Sequence, residues 1–327
     1  MAKATNLARM SVSWETVALA PTGLVTQQHL PVTMLPVLIY GTAWKKDRTT
    51  DLVYKALRAG FRAVDTAAQP KHYREDLVGE GIRRAIREGI VRREDLYIQT
   101  KFTSVQGQDP NNMPYNPQSS ITEQVHASIK SSLHNLRTDE KEDEGTNETG
   151  YIDTLVLHSP LPTIDQTLEA WSAIESYVPH RIRNLGISNC PFPVLEALYM
   201  SPEVKVKPAV VQNRFYTSTR YDGPVRAFCR KHGLIYQSFW TLTANPNLLS
   251  SSPVGALAHE TGISRPAALY SLVLGLGNTA VLDGTTNESH MVADLEALKT
   301  MKKFTEEQPE RWQSLVGDFK RLIYEVD

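Results

Sequence analysis

Residues 152–189, IDTLVLHSPLPTIDQTLEAWSAIESYVPHRIRNLGISN, contain one full period of the pattern that decides the fold. They begin with the apolar run Ile152–Leu157 and end with a second such run, Asn184–Ser188. Between the two runs, apolar residues recur at helical spacing, at Leu168, Trp171 and Ile174. A strand, a helix and a strand in this order predict two parallel strands joined by a right-handed crossover.

The same period repeats along the chain from about residue 36. Eight short runs have the composition of buried strands: Val37–Tyr40, Ala63–Asp65, Leu96–Phe102, Ile152–Leu157, Asn184–Ser188, Ala209–Asn213, Ile235–Phe239 and Ala280–Leu282. Segments with helical spacing separate them. Strand–helix units in this number close on themselves as a (β/α)8 TIM barrel, which is the α/β fold that we predict.

An open doubly wound sheet is the main alternative, and its signature is a glycine-rich turn that leads from a strand into a helix. Residues 275–280, GLGNTA, fit the letters of that motif. They follow a helical segment and precede a strand, however, which is the wrong context. We therefore interpret Gly277 as the cap of a helix C-terminus.

Segments outside the repeat complete the predicted organisation. We expect residues 1–14 to be a disordered tail and residues 15–327 to form a single barrel domain, in which residues 15–36 make a hairpin at the barrel floor. The acidic segment 138–150, TDEKEDEGTNETG, lacks apolar residues and predicts a solvated surface loop on the face opposite the chemistry. A final helix is predicted by the apolar residues Trp312, Leu315, Val316, Phe319, Leu322 and Ile323.

Composition and charge narrow the classes of function. The 327-residue chain is 41% apolar, and 35 basic against 36 acidic residues leave a net charge of −1. Binders of nucleic acid or of membrane surfaces need a basic excess, so we expect neither partner. Cys190 and Cys229 form no metal-binding pair in the sequence, and we expect no metal. Because residues 1–14 lack the apolar stretch of a secretory signal, we expect a cytoplasmic protein, and nothing indicates an obligate protein partner.

Polar residues lie where the predicted strands end, which is where barrel enzymes place their active sites. They are Asp65, Lys101, His158, Ser188, Asn189, Gln212 and Asn213, followed by Phe239 and Trp240 and by the segment 283–290, DGTTNESH. Lys101 interrupts an otherwise apolar strand. A buried lysine needs an anionic partner, and Asp65 on the neighbouring strand is the expected one.

These residues resemble the aldo-keto reductase superfamily over about residues 36–300. The family's short motifs occur in its order: GTxW at residues 41–44, DTA at 65–67, TK at 100–101, LHxP at 157–160, GISN at 186–189 and QN at 212–213. The resemblance implies an Asp–Tyr–Lys–His catalytic tetrad and a nicotinamide cofactor bound without a Rossmann fold. It implies that Tyr donates a proton, that a Lys held by Asp lowers the phenol pKa, and that His orients the substrate carbonyl.

Three members of the tetrad match directly, as Asp65, Lys101 and His158. The tyrosine does not, because the family's position is occupied by Pro70 in a lengthened loop. We assign the role to Tyr73, the first tyrosine available, since neutral histidine imitates a phenol donor poorly. Alignment of the residues that follow would instead put His72 in that position.

The resemblance also implies where the cofactor binds. Two expected cofactor-binding residues, Thr42 and Asp65, belong to the matched motifs. The nicotinamide carboxamide would be held by Ser188, Asn189 and Gln212. The nicotinamide ring would stack on Phe239. The backbone at Trp240 and Leu242 would meet the diphosphate, and Thr285 and Thr286 the adenosine phosphate. His290 and Asp294 stand where NADPH-preferring members carry Arg and Asn, and Gly284 replaces a Lys or Arg. NADPH is the expected cofactor, and NADH remains possible.

The predicted function is therefore NAD(P)H-dependent reduction of a small-molecule aldehyde or ketone to an alcohol. One alternative is an NADP-binding barrel that serves as a non-catalytic regulatory or scaffold subunit, which the irregular tyrosine position favours. Another is a metal-dependent barrel hydrolase, for which only Asp65 and His158 are available as ligands at strand ends. The sequence does not identify the substrate.

Overall fold

The computed structural model describes residues 12–19, 33–138 and 150–325. Its strands are β1 (Thr16–Ala18), β2 (Met34–Pro36), β3 (Leu38–Gly41), β4 (Ala63–Asp65), β5 (Tyr97–Phe102), β6 (Ile152–Leu157), β7 (Ile182–Ser188), β8 (Val210–Arg214), β9 (Ile235–Phe239) and β10 (Thr279–Asp283). Strands β3 to β10 pair in parallel in chain order, and β10 closes the ring onto β3. The predicted (β/α)8 barrel is confirmed.

Helices lie between the barrel strands and continue past the last one. They are α1 (Thr49–Ala59), α2 (Glu75–Arg87), α3 (Ile121–Asn135), α4 (Ile164–Glu175), α5 (Phe192–Met200), α6 (Gly223–His232), α7 (Pro246–Leu249), α8 (Ser252–Thr261), α9 (Arg265–Leu274), α10 (Glu288–Glu307) and α11 (Pro309–Leu322). Gly277 has φ +80° in the turn from α9 to β10. The glycine-rich sequence therefore follows a helix, as predicted, but the cap of α9 is Gly275 and not Gly277, which lies two residues further on.

Two strands of the hairpin predicted at residues 15–36 pack at the lower end of the barrel, and residues 20–32 between them lie outside the described residues. Strands β1 and β2 pair antiparallel. Leu19 and Leu35 pack in one buried cluster with residues from the lower barrel interior, among them Ala63, Tyr97 and Ile235. With apolar side chains filling the floor, the opposite mouth is the end at which a ligand can enter.

The predicted C-terminal helix is present as α11 and buries Trp312, Leu315, Val316 and Phe319. Trp14 is also buried, and its ring centroid lies 5.5 Å from that of Trp312. The predicted tail therefore includes a residue that packs on the barrel, while its residues 1–11 lie outside the described residues. Residues 139–149 of the predicted acidic loop also lie outside them.

Across the described part of the chain, no helix has both the length and the apolar character needed to cross a bilayer.

Candidate active site

A buried ion pair lies at the upper end of two neighbouring barrel strands. Lys101 of β5 is fully buried, and its Nζ donates to Asp65 Oδ2 at 2.6 Å and to the Thr66 carbonyl at 2.8 Å. Asp65 ends β4 and is 1% exposed. The partner expected for Lys101 from the sequence is thus the one observed.

Three glutamines extend this pair into a polar layer across the barrel. Gln99 and Gln212 each donate through Nε2 to Asp65 Oδ1, at 2.7 and 3.0 Å. Both also donate to Gln237 Oε1, at 2.8 and 2.9 Å. Neutral donors therefore surround the buried carboxylate in addition to the ammonium. Sequence reasoning missed Gln99 and Gln237, although Gln99 lies two residues before Lys101 and so shares its face of β5.

Tyr73 lies beside this layer, and His72 points elsewhere. The Lys101 Nζ is 5.1 Å from the centroid of the Tyr73 ring, and that ring meets His158 edge-to-face with centroids 6.0 Å apart. The His72 ring instead packs on Trp44, with centroids 3.9 Å apart, and its Nδ1 bonds to Gln69 Oε1 at 2.9 Å.

Electrostatics keep the Tyr73 phenol protonated. Burial, with a further contribution from the Asp65 charge, raises the pKa of Tyr73, and the charge of Arg214 opposes this rise. The resemblance implies a phenol pKa that is lowered, whereas the pKa of Tyr73 in this structure is raised. The physical reason is that burial disfavours a phenolate and the Asp65 charge adds to this effect, which together exceed the opposing effect of nearby cations.

His158 is held as a neutral imidazole. Burial lowers the pKa of His158 well below its usual value, and the charges of Lys101 and Arg214 add to this effect. Its Nδ1 bonds to Thr103 Oγ1 at 2.6 Å. When the threonine hydroxyl donates in this bond, the histidine proton resides on Nε2, so the ring can donate a hydrogen bond from that atom.

The amide and hydroxyl groups at the ends of β7 and β8 lie against His158. Asn189 Nδ2 donates to the His158 carbonyl at 2.9 Å and to Ser188 Oγ at 3.2 Å. Ser188 Oγ donates to the Gln212 carbonyl at 2.6 Å. Asn189 has φ +49°, a conformation that asparagine tolerates better than most residues. These three predicted cofactor residues therefore form one connected patch at the mouth.

Aromatic rings flank that patch after β9. Phe239 and Trp240 have ring centroids 6.1 Å apart, and Trp240 is 50% exposed. Leu242 follows and is half-buried against the core. Sequence reasoning missed Arg214, whose guanidinium lies above both rings.

Thr42 is buried at the end of β3. Its hydroxyl donates to the Asp65 carbonyl at 2.9 Å, so it supports the strand that carries the ion pair. Its hydroxyl is therefore already used inside the barrel wall, as is that of Ser188.

The residues predicted to meet the adenosine end lie after β10. The Thr285 carbonyl accepts a bond from the Tyr40 hydroxyl at 3.0 Å, and Thr286 and His290 are exposed. Asp294 on α10 lies beside Asp283, and burial together with the Asp283 charge raises the pKa of Asp294 to about 7.

A buried lysine that the sequence analysis missed also reaches this region. Lys45 Nζ donates to the Gly284 carbonyl, and burial lowers the pKa of Lys45 to about 8. Lys45 follows β3 in the sequence, whereas the predicted adenosine-end residues follow β10, so nothing in the local sequence indicated that it would reach them. Lys45 therefore supplies a positive charge at the end where Gly284 and His290 replace the basic residues of NADPH-preferring members.

The sequence model of the Aldo/keto reductase family matches residues 38–316. The chain belongs to this family. Among curated aldo/keto reductase relatives, an aldehyde reductase of Saccharomyces cerevisiae is 25% identical over 80% of this chain and 82% of its own. An uncharacterised oxidoreductase of Schizosaccharomyces pombe is 28% identical over 75% of this chain and 76% of its own. An NADPH-dependent D-xylose reductase of Meyerozyma guilliermondii is 28% identical, over 54% of this chain and 56% of its own.

Solved aldo/keto reductases share the fold. One from Brucella melitensis superposes with a TM-score of 0.62 at 22% identity, over 86% of this chain and 92% of its own. A Bombyx mori aldo-keto reductase in complex with NADP gives a TM-score of 0.63 at 21% identity, over 83% of this chain and 90% of its own.

Proposed function

We propose that this aldo/keto reductase reduces an aldehyde or ketone to an alcohol, with hydride from NAD(P)H and a proton from Tyr73. The observation that carries the proposal is the single cluster at the barrel mouth in which the Tyr73 ring lies between the Lys101 ammonium and the His158 imidazole. An acid, a cation and a hydrogen-bond donor around one point match the needs of an oxygen that gains negative charge.

The residues present fit a nicotinamide dinucleotide. The Gln212 amide protons bind Asp65 and Gln237, which leaves its Oε1 to accept from a carboxamide, and Ser188 and Asn189 lie next to it in the same hydrogen-bonded patch. The half-buried Phe239 follows at the end of β9, the strand that pairs with β8. At the other end, Thr285 and Thr286 and the Lys45 ammonium suit a phosphate. Bound there, the cofactor supplies the hydride.

The chain's own groups account for the proton and the charge. His158 donates from Nε2 to the carbonyl oxygen and orients it. Tyr73 then gives its hydroxyl proton to that oxygen as the carbon accepts hydride, and solvent later returns a proton to the tyrosinate. Lys101 stabilises the transient tyrosinate, while Asp65 keeps the lysine in place.

We propose NADPH as the preferred cofactor, with NADH as the alternative. Two observations favour a cofactor with a 2′-phosphate: a relative has NADPH in its name, and the Lys45 ammonium lies at the adenosine end of the site. The carboxyl pair Asp283–Asp294 opposes binding of that phosphate.

The test is the oxidation of NADPH and of NADH by the purified protein with a panel of aromatic and aliphatic aldehydes. We expect aldehyde-dependent turnover with both cofactors and a larger kcat/KM for NADPH. The absence of turnover with every aldehyde, from protein that binds the cofactor, would contradict the proposed function. A larger kcat/KM for NADH would contradict the cofactor preference alone.

A further inference from the structure

Arg214 is a cation at the barrel mouth to which the reaction described above assigns no role. It ends β8, in register with Phe239 of β9, and is half-buried. The guanidinium carbon lies 4.7 Å from the centroid of the Trp240 ring and 5.4 Å from that of Phe239. The side chain is therefore held over two rings that border the site, in an arrangement typical of arginine.

Among the described residues, no side chain neutralises the charge of this guanidinium. Its hydrogen bond goes from Nη1 to the neutral Asn189 Oδ1, at 2.6 Å. Within the described ranges 12–19, 33–138 and 150–325, no carboxylate pairs with it. Four of the five N–H donors of an arginine side chain are thus left for another partner.

The guanidinium lies near the reacting groups, because Asn189, which accepts its hydrogen bond, also donates to the His158 carbonyl. Its charge contributes to the lowering of the His158 pKa and opposes the rise in the Tyr73 pKa, so its field reaches both residues. The other cation in the cluster, Lys101, is already matched by Asp65. A ligand beside Arg214 therefore meets a positive charge that no carboxylate among the described residues pairs with.

We propose that Arg214 determines substrate class: it binds a carboxylate carried by the carbonyl substrate, so that the enzyme prefers aldehydo or keto acids over neutral carbonyl compounds. This inference rests on the proposed function and names the substrate of the same site. A carboxylate fits because its charge balances that of the guanidinium and its two oxygens match the planar guanidinium fork.

Binding of reaction products tests the proposal without turnover. The probes are the ortho, meta and para hydroxymethylbenzoates, each paired with the hydroxymethylbenzamide of the same geometry, titrated by calorimetry into protein saturated with NADP⁺. We expect at least one carboxylate to bind about tenfold or more tightly than its amide, as charge-assisted bonds imply.

Two variants show whether Arg214 causes that preference. Arg214→Met keeps an unbranched apolar stem, and we expect it to abolish the preference; Arg214→Lys should restore part of it. Lys71→Met is the matched control, since Lys71 is an exposed cation in the loop after β4, and it should leave the preference unchanged.

Three results would overturn the inference: equal binding of every acid–amide pair by the unaltered protein, a preference that survives in Arg214→Met, or a variant that loses NADP⁺ affinity while it keeps the preference. The last result would assign Arg214 to the cofactor. Failure of the proposed function would instead appear as an absence of turnover with all aldehydes. The two failures can be told apart because the binding preference is measured whether or not turnover occurs.

Discussion

Replacement of Lys101 by methionine separates the chemistry of the buried ion pair from its contribution to stability. The substitution keeps a long apolar stem and removes the ammonium that donates to Asp65 and to the Thr66 carbonyl. We expect turnover to fall by about 10²–10⁴, which is the effect of losing effective general acid catalysis. Cofactor affinity should change little, since the expected carboxamide contacts come from β7 and β8.

The cost in stability follows from what remains around Asp65. Removal of one partner of a buried ion pair costs about 3–5 kcal/mol because a charge is left without compensation. Here the carboxylate keeps two amide donors, from Gln99 and Gln212 at 2.7 and 3.0 Å. We therefore expect a loss near the lower limit, about 3 kcal/mol in the free energy of unfolding.

The double variant Asp65→Asn with Lys101→Met is the control. It removes both charges, so the free energy of unfolding, measured by urea denaturation, should return to within about 1 kcal/mol of the unaltered protein. Turnover should remain as low as in the single variant. Turnover that recovers together with stability, or a Lys101→Met variant with unaltered turnover, would refute a catalytic role for Lys101.

The remaining predictions concern the proton donor, the packing of the helices and the response to pH. Tyr73→Phe should lower kcat by about 10²–10⁴, whereas His72→Gln should act mainly on KM; steady-state kinetics showing the reverse ranking would assign the donor to His72. Gly79→Ala should lower the melting temperature, because the added Cβ would lie 1.9 Å from a backbone carbonyl oxygen of α3. Gly223→Ala is the control and should leave the melting temperature unchanged, because its Cβ would have no neighbour within 4 Å. The pKa of Asp294, raised from 3.8 to about 7, means that the folded state retains a proton that the unfolded state loses, so stability falls as pH rises between these values. At pH 8 the free energy of unfolding of Asp294→Asn should therefore exceed that of the unaltered protein by roughly 2 kcal/mol, after allowance for solvent screening, and at pH 3 the two should be equal. A difference between the two proteins in urea denaturation that does not change with pH would contradict this.

The barrel was predictable because its signals are local. Each strand is a short apolar run and each helix has its own spacing, so the order of elements could be assigned without tertiary information. Strand ends were less certain. The predicted strand began at Asn184 because the exposed Arg183 interrupts the apolar run, but the backbone pairing of β7 begins at Ile182.

The candidate site was predictable where a residue falls at the end of a strand, as Asp65, Lys101 and His158 do. The choice between Tyr73 and His72 required the path of the loop, which a lengthened segment does not encode locally. Lys45 was missed for a different reason. It comes from the loop after β3 and reaches Gly284 after β10, a contact that exists because the barrel closes.

Transfer of a labelled hydride tests the central claim most directly. Cofactor deuterated at the transferring position of the nicotinamide ring would be incubated with an aldehyde and the unaltered protein, and the alcohol analysed by mass spectrometry and NMR. The account predicts one deuterium on the carbinol carbon of the alcohol, formed in equal amount to the oxidised cofactor, and the same product at a rate about 10²–10⁴ lower with Tyr73→Phe. Alcohol without deuterium at that carbon, or labelled alcohol formed at an equal rate by Tyr73→Phe, would contradict it.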